Sequence, residues 1–160
     1  MISPCSAAEA PHICEVINEA AEAYRGVIPD DQWHEPYMPM HELAAEMDAG
    51  VDFWGYTEDH QLEAVMGLQH VKDVALIRHA YTRTRLQGKG VGSALLEHLK
   101  SRTDRPLLVG TWKAATWAVR FYERRGFRLV GEAEKARLLK KYWPRVSEEQ
   151  ARVSVVLVLG

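Results

Sequence analysis

A glycine-rich turn at residues 87–92 has the residue types that bind phosphate. It reads Gln87-Gly88-Lys89-Gly90-Val91-Gly92, follows a strand-like apolar segment at 74–82, and precedes a helix-like run that begins at Ser93. Glycines let the backbone approach a ligand closely, and the unpaired N–H groups of a first helical turn point toward negative charge. The spacing therefore predicts a cradle for a phosphate or pyrophosphate group, built from backbone atoms.

Two common phosphate loops do not fit this turn. A Walker loop needs Ser or Thr after its lysine, whereas Gly90 follows Lys89. A dinucleotide fingerprint needs a third small residue and an acidic residue about twenty positions further on. Ser93 stands where the third glycine would be, and the region around Gly110 and Trp112 carries no acid. The ligand class therefore depends on the sequence that follows.

A second motif lies at residues 115–127, and the two motifs together resemble the GNAT family of N-acetyltransferases. The family's acetyl-CoA motif, Gln/Arg-x-x-Gly-x-Gly/Ala, is matched by Gln87, Gly90 and Gly92. The next family motif, Asn-x-x-Ala-x-x-Phe-Tyr-Glu-x-x-Gly-Phe, is matched from Ala118 onward, with Ala115 where Asn is common. Both occur in the family's order and spacing, over about residues 74–130.

The resemblance implies that acetyl-CoA is the acetyl donor and that backbone groups hold it. The turn would hold the pyrophosphate, and the strand that ends at Thr82 would offer its backbone to the pantetheine arm. The implied cofactor-binding residues are Ala80, Tyr81, Thr82, Gln87, Gly88, Lys89, Gly90, Val91, Gly92, Ser93 and Ala115. Ala115 lacks the side-chain amide that often contacts this arm in relatives, which leaves Thr116 or a water to replace it.

The expected general acid is Tyr122, which matches the family tyrosine that protonates the departing sulfur. Acetyl transfer to an amine needs such an acid and also a base for the amine. A phenol has an ordinary pKa of about 10, so it is protonated at neutral pH and can donate to a thiolate. The alternative is that Tyr122 is one more aromatic residue on a buried helix face.

The motif does not identify the general base, because Leu76 occupies the position where some family members carry Glu. Histidine titrates near neutral pH, which makes His79 on the same strand a candidate. Arg78 could instead anchor an acidic acceptor. Adjacent strand residues face opposite sides, so at most one of these two is expected at the cleft. A water chain from His70 or Gln69 is a further alternative.

The acceptor pocket is expected to involve residues 24–39. Three prolines and several aromatic residues predict a loop after the first helix. In the resembling family this segment overhangs the acetyl group and helps to select the acceptor. The substrate-binding candidates are Tyr24, Arg25, Trp33, Tyr37 and, from the later strand, Arg78. Alternatively, the loop aromatics only fix the loop to the core.

Hydrophobic periodicity predicts the elements that must position these residues. Strands are predicted at 1–4, 51–57, 62–71, 74–82, 107–109, 127–130 and 153–159, and helices at 7–24, 40–49, 93–99, 114–125 and 132–142. The resemblance implies an α/β GNAT-like fold with a mixed sheet of about seven strands, four main helices and a short extra helix. The sheet should splay where the cofactor enters. We expect residues 1–160 to form a single domain.

Charge and composition limit the classes of ligand and partner that the protein is expected to bind. The net charge of −2 argues against nucleic-acid binding, yet residues 72–92 carry five basic side chains and one acidic one, which predicts a local positive field for coenzyme A.

No apolar run is long enough for a membrane span, and no signal peptide is evident, so we expect a cytoplasmic protein. No metal is expected, because the cysteines and the His-Glu pairs lack ligand spacing. The apolar last strand leaves a homodimer open.

These observations predict an N-acetyltransferase that moves the acetyl group of acetyl-CoA to a primary amine of a small molecule or peptide by direct transfer. The alternative is a catalytically silent acyl-CoA-binding sensor or scaffold module. We expect the acceptor to be a small molecule or a peptide terminus, because no second domain is predicted that would grip a large one.

Overall fold

The computed structural model describes all 160 residues and contains one mixed sheet with helices on both faces. Its strands are β1 (Ile2–Pro4), β2 (Asp52–Glu58), β3 (Gln61–Val71), β4 (Val74–Thr82), β5 (Leu107–Trp112), β6 (Arg128–Leu129) and β7 (Ser154–Leu159). Its helices are α1 (Ala10–Ala20), α2 (Met40–Asp48), α3 (Val91–Lys100), α4 (Thr116–Glu123), α5 (Glu132–Tyr142) and α6 (Glu148–Arg152). The predicted α/β fold class with seven strands is confirmed.

The strands are ordered β1-β2-β3-β4-β5-β7-β6, and only the β4–β5 pair is parallel. Tight turns join β2 to β3 and β3 to β4, with Asp59, His60 and Lys72 in the left-handed region. Alternate strand residues face opposite sides of the sheet. Ile77 and Val109 therefore pack with α3 and α4, whereas residues such as Leu76 and Leu108 pack with α5 on the other face. Helices α1 and α2 cover β2 and β3 on that second face.

Several predicted elements differ in extent from the observed ones. The helix predicted at 7–24 is an α-helix only over Ala10–Ala20, with 3₁₀ turns at Ala7–Glu9 and Ala21–Tyr24. The short α6 was not predicted, since five residues give no readable period. β5 continues through Gly110 to Trp112 because it pairs with β7 along its whole length.

The last strand is not an edge of the sheet. β7 pairs with β5 on one side and with β6 on the other. A dimer that extends the sheet through β7 is therefore excluded, and the free edges are β1 and β6. None of the helices is long and apolar enough to cross a bilayer.

Candidate active site

The turn before α3 forms an anion cradle of backbone donors. Gly88 and Gly90 have φ of 77° and 84°, and a Cβ added at either would meet nothing within 4 Å. Gly90 is the N-cap residue of α3, so no N-cap side chain bonds to the start of this helix. None of the backbone N–H groups of residues 88–93 donates a hydrogen bond within the chain. The turn therefore offers six backbone donors without a partner beside the positive end of a helix dipole, which suits a phosphate group.

Side chains around the turn brace it rather than fill it. The Gln87 amide donates to the Thr82 carbonyl at 3.1 Å, which ties the turn to the end of β4. A Cβ at Gly92 would lie 3.5 Å from the Phe121 ring, an ordinary van der Waals contact, so α4 packs directly against the start of α3. The cradle is thus preorganised by contacts behind it.

Arg125 lies at the cradle and was missed by the sequence analysis. Its Nε donates to Ser93 Oγ at 3.1 Å, its Nη1 donates to the Phe121 carbonyl at 2.9 Å, and its guanidinium lies 3.9 Å from the Phe121 ring centre. The charge is therefore held next to the free N–H groups of α3. Arg125 occupies a variable position of the second motif, and only the packing of α4 on α3 brings it there.

The local positive field expected at residues 72–92 is largely neutralised, which corrects that expectation. Three of its five basic residues are ion-paired with carboxylates of other elements: Arg78 with Glu46, Arg83 with Glu15 and Glu19, and Arg85 with the fully buried Glu63. Lys89 at the turn has no ion-pair partner. The positive charge at the cradle therefore comes from Lys89 and from Arg125.

The sheet splays between β4 and β5, as predicted. These strands pair only between residues 75–77 and 107–109, so β4 from Arg78 onward has no β5 partner. A pocket of about 230 Å³ opens at this point, between α4 on one face and the α1–α2 and α5–α6 connections on the other. It brings together the predicted residues Tyr24, Tyr37, Arg78, His79, Ala80, Tyr81 and Tyr122.

A β-bulge in β4 sets the direction of two of these side chains. His79 and Ala80 together face one residue of β3, and His79 has φ of 53°. Gly67 on β3 permits the close approach, since a Cβ there would lie 2.8 Å from the Arg78 carbonyl oxygen. Because the bulge breaks the alternation, Arg78 and His79 both reach Glu46. The expectation that at most one of them faces the cleft is wrong.

Glu46 on α2 links the two basic side chains. Its carboxylate lies 2.8 Å from His79 Nε2 and is also bonded to Arg78, whose Nη1 donates to Gln69 at 2.9 Å. Partial burial alone would raise the pKa of Glu46, but the hydrogen bond to His79 and the charges of His79 and Arg78 outweigh it, so the pKa is lowered. His79 Nδ1 has no hydrogen-bond partner in the chain. The imidazole is thus held through one nitrogen and free at the other.

Tyr122 sits where the cofactor side meets the pocket. Its ring packs between Phe121 and Phe127, at centroid distances of 5.1 and 5.2 Å, and only 4% of its surface is exposed. Burial, with a smaller effect of the Tyr24 phenol, raises the pKa of Tyr122 above its ordinary value. The phenol therefore stays protonated and can act as a proton donor.

Aromatic rings line the part of the pocket formed by the segment between α1 and α2, β4 and β5. Tyr24 lies 5.6 Å from Tyr37 and 6.1 Å from Tyr81 between ring centres, and Trp112 Nε1 donates to the Tyr37 hydroxyl at 2.9 Å. Burial raises the pKa of Tyr24 to about 12, so this phenol is also neutral. Trp112 and Trp143 on this wall were missed, since β5 was predicted to stop earlier and Trp143 lies beyond the second motif.

Outside the 87–93 turn, four predicted site residues do not line this pocket: Arg25, Trp33, Thr82 and Ala115. Arg25 is paired with Glu22 and Glu35 and lies 4.7 Å from the Trp33 ring centre, so these residues fix the loop at its outer side. Ala115 is fully buried at the start of α4. No group of three or more His, Cys, Asp or Glu side chains is arranged to hold a metal ion.

Comparison with known proteins identifies the family and supports the fold. Residues 15–140 match the model of the acetyltransferase (GNAT) domain. The fold is similar to that of the PaiA N-acetyltransferase of Thermoplasma acidophilum in complex with coenzyme A, with a TM-score of 0.73, 16% identity, and coverage of 99% of this chain and 96% of that one. The fold is also similar to that of the Escherichia coli ribosomal-protein-S18-alanine N-acetyltransferase, with a TM-score of 0.68, 17% identity, and coverage of 99% of this chain and 92% of that one. No curated protein matches the sequence.

A GNAT family acetyltransferase from Elizabethkingia anophelis with acetyl-CoA bound is also similar, with a TM-score of 0.66, 16% identity, and coverage of 99% of this chain and 96% of that one. The site combines a splayed sheet, a turn of free backbone donors and a tyrosine that lines the pocket. These are the features of a transferase that uses an acyl-CoA donor. The chain belongs to the GNAT family and is an acetyl-CoA-dependent N-acetyltransferase, as predicted. The cradle residues fit the phosphates of this donor.

Proposed function

We propose that this enzyme transfers the acetyl group directly from acetyl-CoA to a primary amine of a small molecule or peptide. The observation that carries the proposal is the pocket at the splay, which Tyr122 and His79 both line. No cysteine lines this pocket, and burial raises the pKa of the Cys5 thiol to about 12, so a covalent acetyl-cysteine intermediate has no support.

The cradle and the end of β4 would hold the donor. The free N–H groups of residues 88–93 and the Arg125 guanidinium suit the pyrophosphate. The backbone of residues 78–82, which lacks a β5 partner, suits the pantetheine arm. When bound, acetyl-CoA supplies the thioester that is cleaved.

Two side chains would move the protons. His79 Nδ1 accepts a proton from the amine as the N–C bond forms, while Glu46 holds Nε2 and balances the imidazolium charge. Tyr122 donates its proton to the sulfur as the C–S bond breaks, and solvent returns the proton from His79 to Tyr122. The neutral aromatic walls exclude water and strengthen these interactions.

The test is thiol release from acetyl-CoA in the presence of a panel of primary amines, for the wild type and Tyr122→Phe. We expect kcat to fall by about 100-fold or more in Tyr122→Phe, with acetyl-CoA affinity nearly unchanged in calorimetry. Tyr142→Phe is the matched control, because this buried tyrosine bonds Asp73 away from the pocket.

Full turnover in Tyr122→Phe would remove Tyr122 as the acid. Tight acetyl-CoA binding without thiol release for any amine would contradict the proposed function and favour a silent binding module.

A further inference from the structure

The pocket is small for a site that must hold both reacting groups. Its volume of about 230 Å³ lies below the roughly 300–1,000 Å³ typical of sites for drug-sized ligands. Part of this volume, beside Tyr122 and Ala118, belongs to the donor side. The acceptor therefore presents a compact group to the pocket.

The pocket offers no free charge to an acceptor. No carboxylate lines it, and its only basic side chains are Arg78 and His79, which share the Glu46 carboxylate. The other polar side chains apart from the phenols are Thr111, Gln150 and Ser154. A second charged group on the acceptor would have to be buried without a counter-ion, which is costly.

Aromatic and apolar surface dominates the acceptor wall. Trp143 lies over β5 beside Gly110, since a Cβ at Gly110 would be in ordinary contact with Trp143 Cζ2 at 3.7 Å. Tyr24, Tyr37 and Trp112 form the opposite part of the wall. Such rings bind apolar and aromatic groups with large contact area.

The surroundings disfavour anionic acceptors further. Residues 22–48, which contribute Tyr24 and Tyr37 to the pocket, carry seven carboxylates and one arginine; Glu22, Glu35 and Glu46 are ion-paired, and the other four carboxylates have no cationic partner. Glu42 lies close enough to Tyr37 to raise the pKa of its phenol, in addition to the larger effect of burial. A field of this sign repels a carboxylate on the acceptor.

From the size, charge and aromatic lining of this pocket, we propose that the acceptor is a compact aromatic or branched apolar primary amine without a second charged group. The inference rests on the proposed function. It excludes free α-amino acids and polyamines as preferred acceptors.

The experiment compares kcat/KM for three probes: phenethylamine, L-phenylalanine and 1,5-diaminopentane. Phenethylamine and phenylalanine differ only in the carboxylate, and the diamine replaces the ring by a second cation. We expect phenethylamine to be preferred over each of the others by about 10- to 100-fold, the ratio that corresponds to burying one unpaired polar or charged group. Equal or better turnover of phenylalanine or of the diamine overturns the inference but leaves the proposed function intact. No thiol release with any amine overturns both.

A pair of tryptophan variants tests the wall itself. Trp143→Ala should lower kcat/KM for phenethylamine by about tenfold while acetyl-CoA binding is retained. Trp54→Ala is the matched control, since this half-buried ring packs against His98 and Arg102 outside the pocket and should leave the preference unchanged. An unchanged preference in Trp143→Ala would contradict the aromatic wall.

Discussion

The cradle can be tested at Gly90, where the backbone requires a left-handed conformation and nothing fills the space of a side chain. Gly90 has φ of 84° and precedes the first turn of α3. Gly90→Asp places a carboxylate at the position where we expect the pyrophosphate. Gly90→Asn is nearly isosteric, tolerates the same φ and differs only in charge.

The expected loss of acetyl-CoA affinity depends on the charge of the new side chain and on the backbone conformation at residue 90. Either substitution in the left-handed region costs at most about 1–2 kcal/mol, and both side chains can cap the helix, so these effects cancel between the two variants. Two unit charges about 4 Å apart repel by about 1 kcal/mol in water and by about 4 kcal/mol at an effective dielectric constant of 20. We therefore expect acetyl-CoA to bind Gly90→Asp about 10- to 1,000-fold more weakly than Gly90→Asn.

The assay is calorimetric titration with acetyl-CoA and with free coenzyme A at low and high salt, with melting temperatures as a check on folding. The difference between the two variants should shrink at high salt, since ions screen the repulsion. Equal affinities for Gly90→Asp and Gly90→Asn, both near that of the wild type, would refute the cradle as the phosphate site. Loss of binding in both variants to the same extent would assign the effect to the backbone rather than to charge.

Three further predictions concern residues that the tertiary structure brings to the site. Arg125→Gln should weaken acetyl-CoA binding by about five- to tenfold and reduce its salt dependence, whereas Arg124→Gln, on the exposed neighbour, should not. Glu46→Gln should lower kcat, because it removes the charged carboxylate that holds His79 Nε2; Asp48→Asn is the control, and an unchanged kcat would contradict the pairing. The lowered pKa of Glu46 means that its stabilisation is present above the ordinary value of about 4.3 and is lost as pH falls below it. The melting temperature should therefore fall less in Glu46→Gln than in the wild type between about pH 6 and pH 3.

Local sequence predicted the parts of the site that depend on near neighbours. The turn before α3 was predictable because glycines with positive φ and the first turn of a helix make a phosphate cradle wherever they occur together. Strands β2 to β4 were predicted within a few residues, since their apolar runs are separated by short polar turns. Tyr122 is read directly from a motif whose residues are adjacent in the chain.

Only the tertiary structure decided which charged side chains are paired and which residues line the pocket. The bulge at His79 and Ala80 depends on how β4 pairs with β3, and it reverses the simple alternation that sequence periodicity assumes. Glu46 and His79 are 33 residues apart, and Arg125 and Ser93 are 32 apart, so no local pattern reports either contact. The ion pairs of Arg78, Arg83 and Arg85 remove a field that the sequence alone seemed to place at the turn.

Sequence by itself thus determined the turn that we propose as the donor site, because a glycine-rich turn and the helix that follows it are local structures. The acceptor side was decided by tertiary packing. Its wall combines residues of the 3₁₀ turn after α1, the loop before α2, β5 and the end of α5, and the side chains of these distant segments acquire a common surface only when the sheet folds and splays.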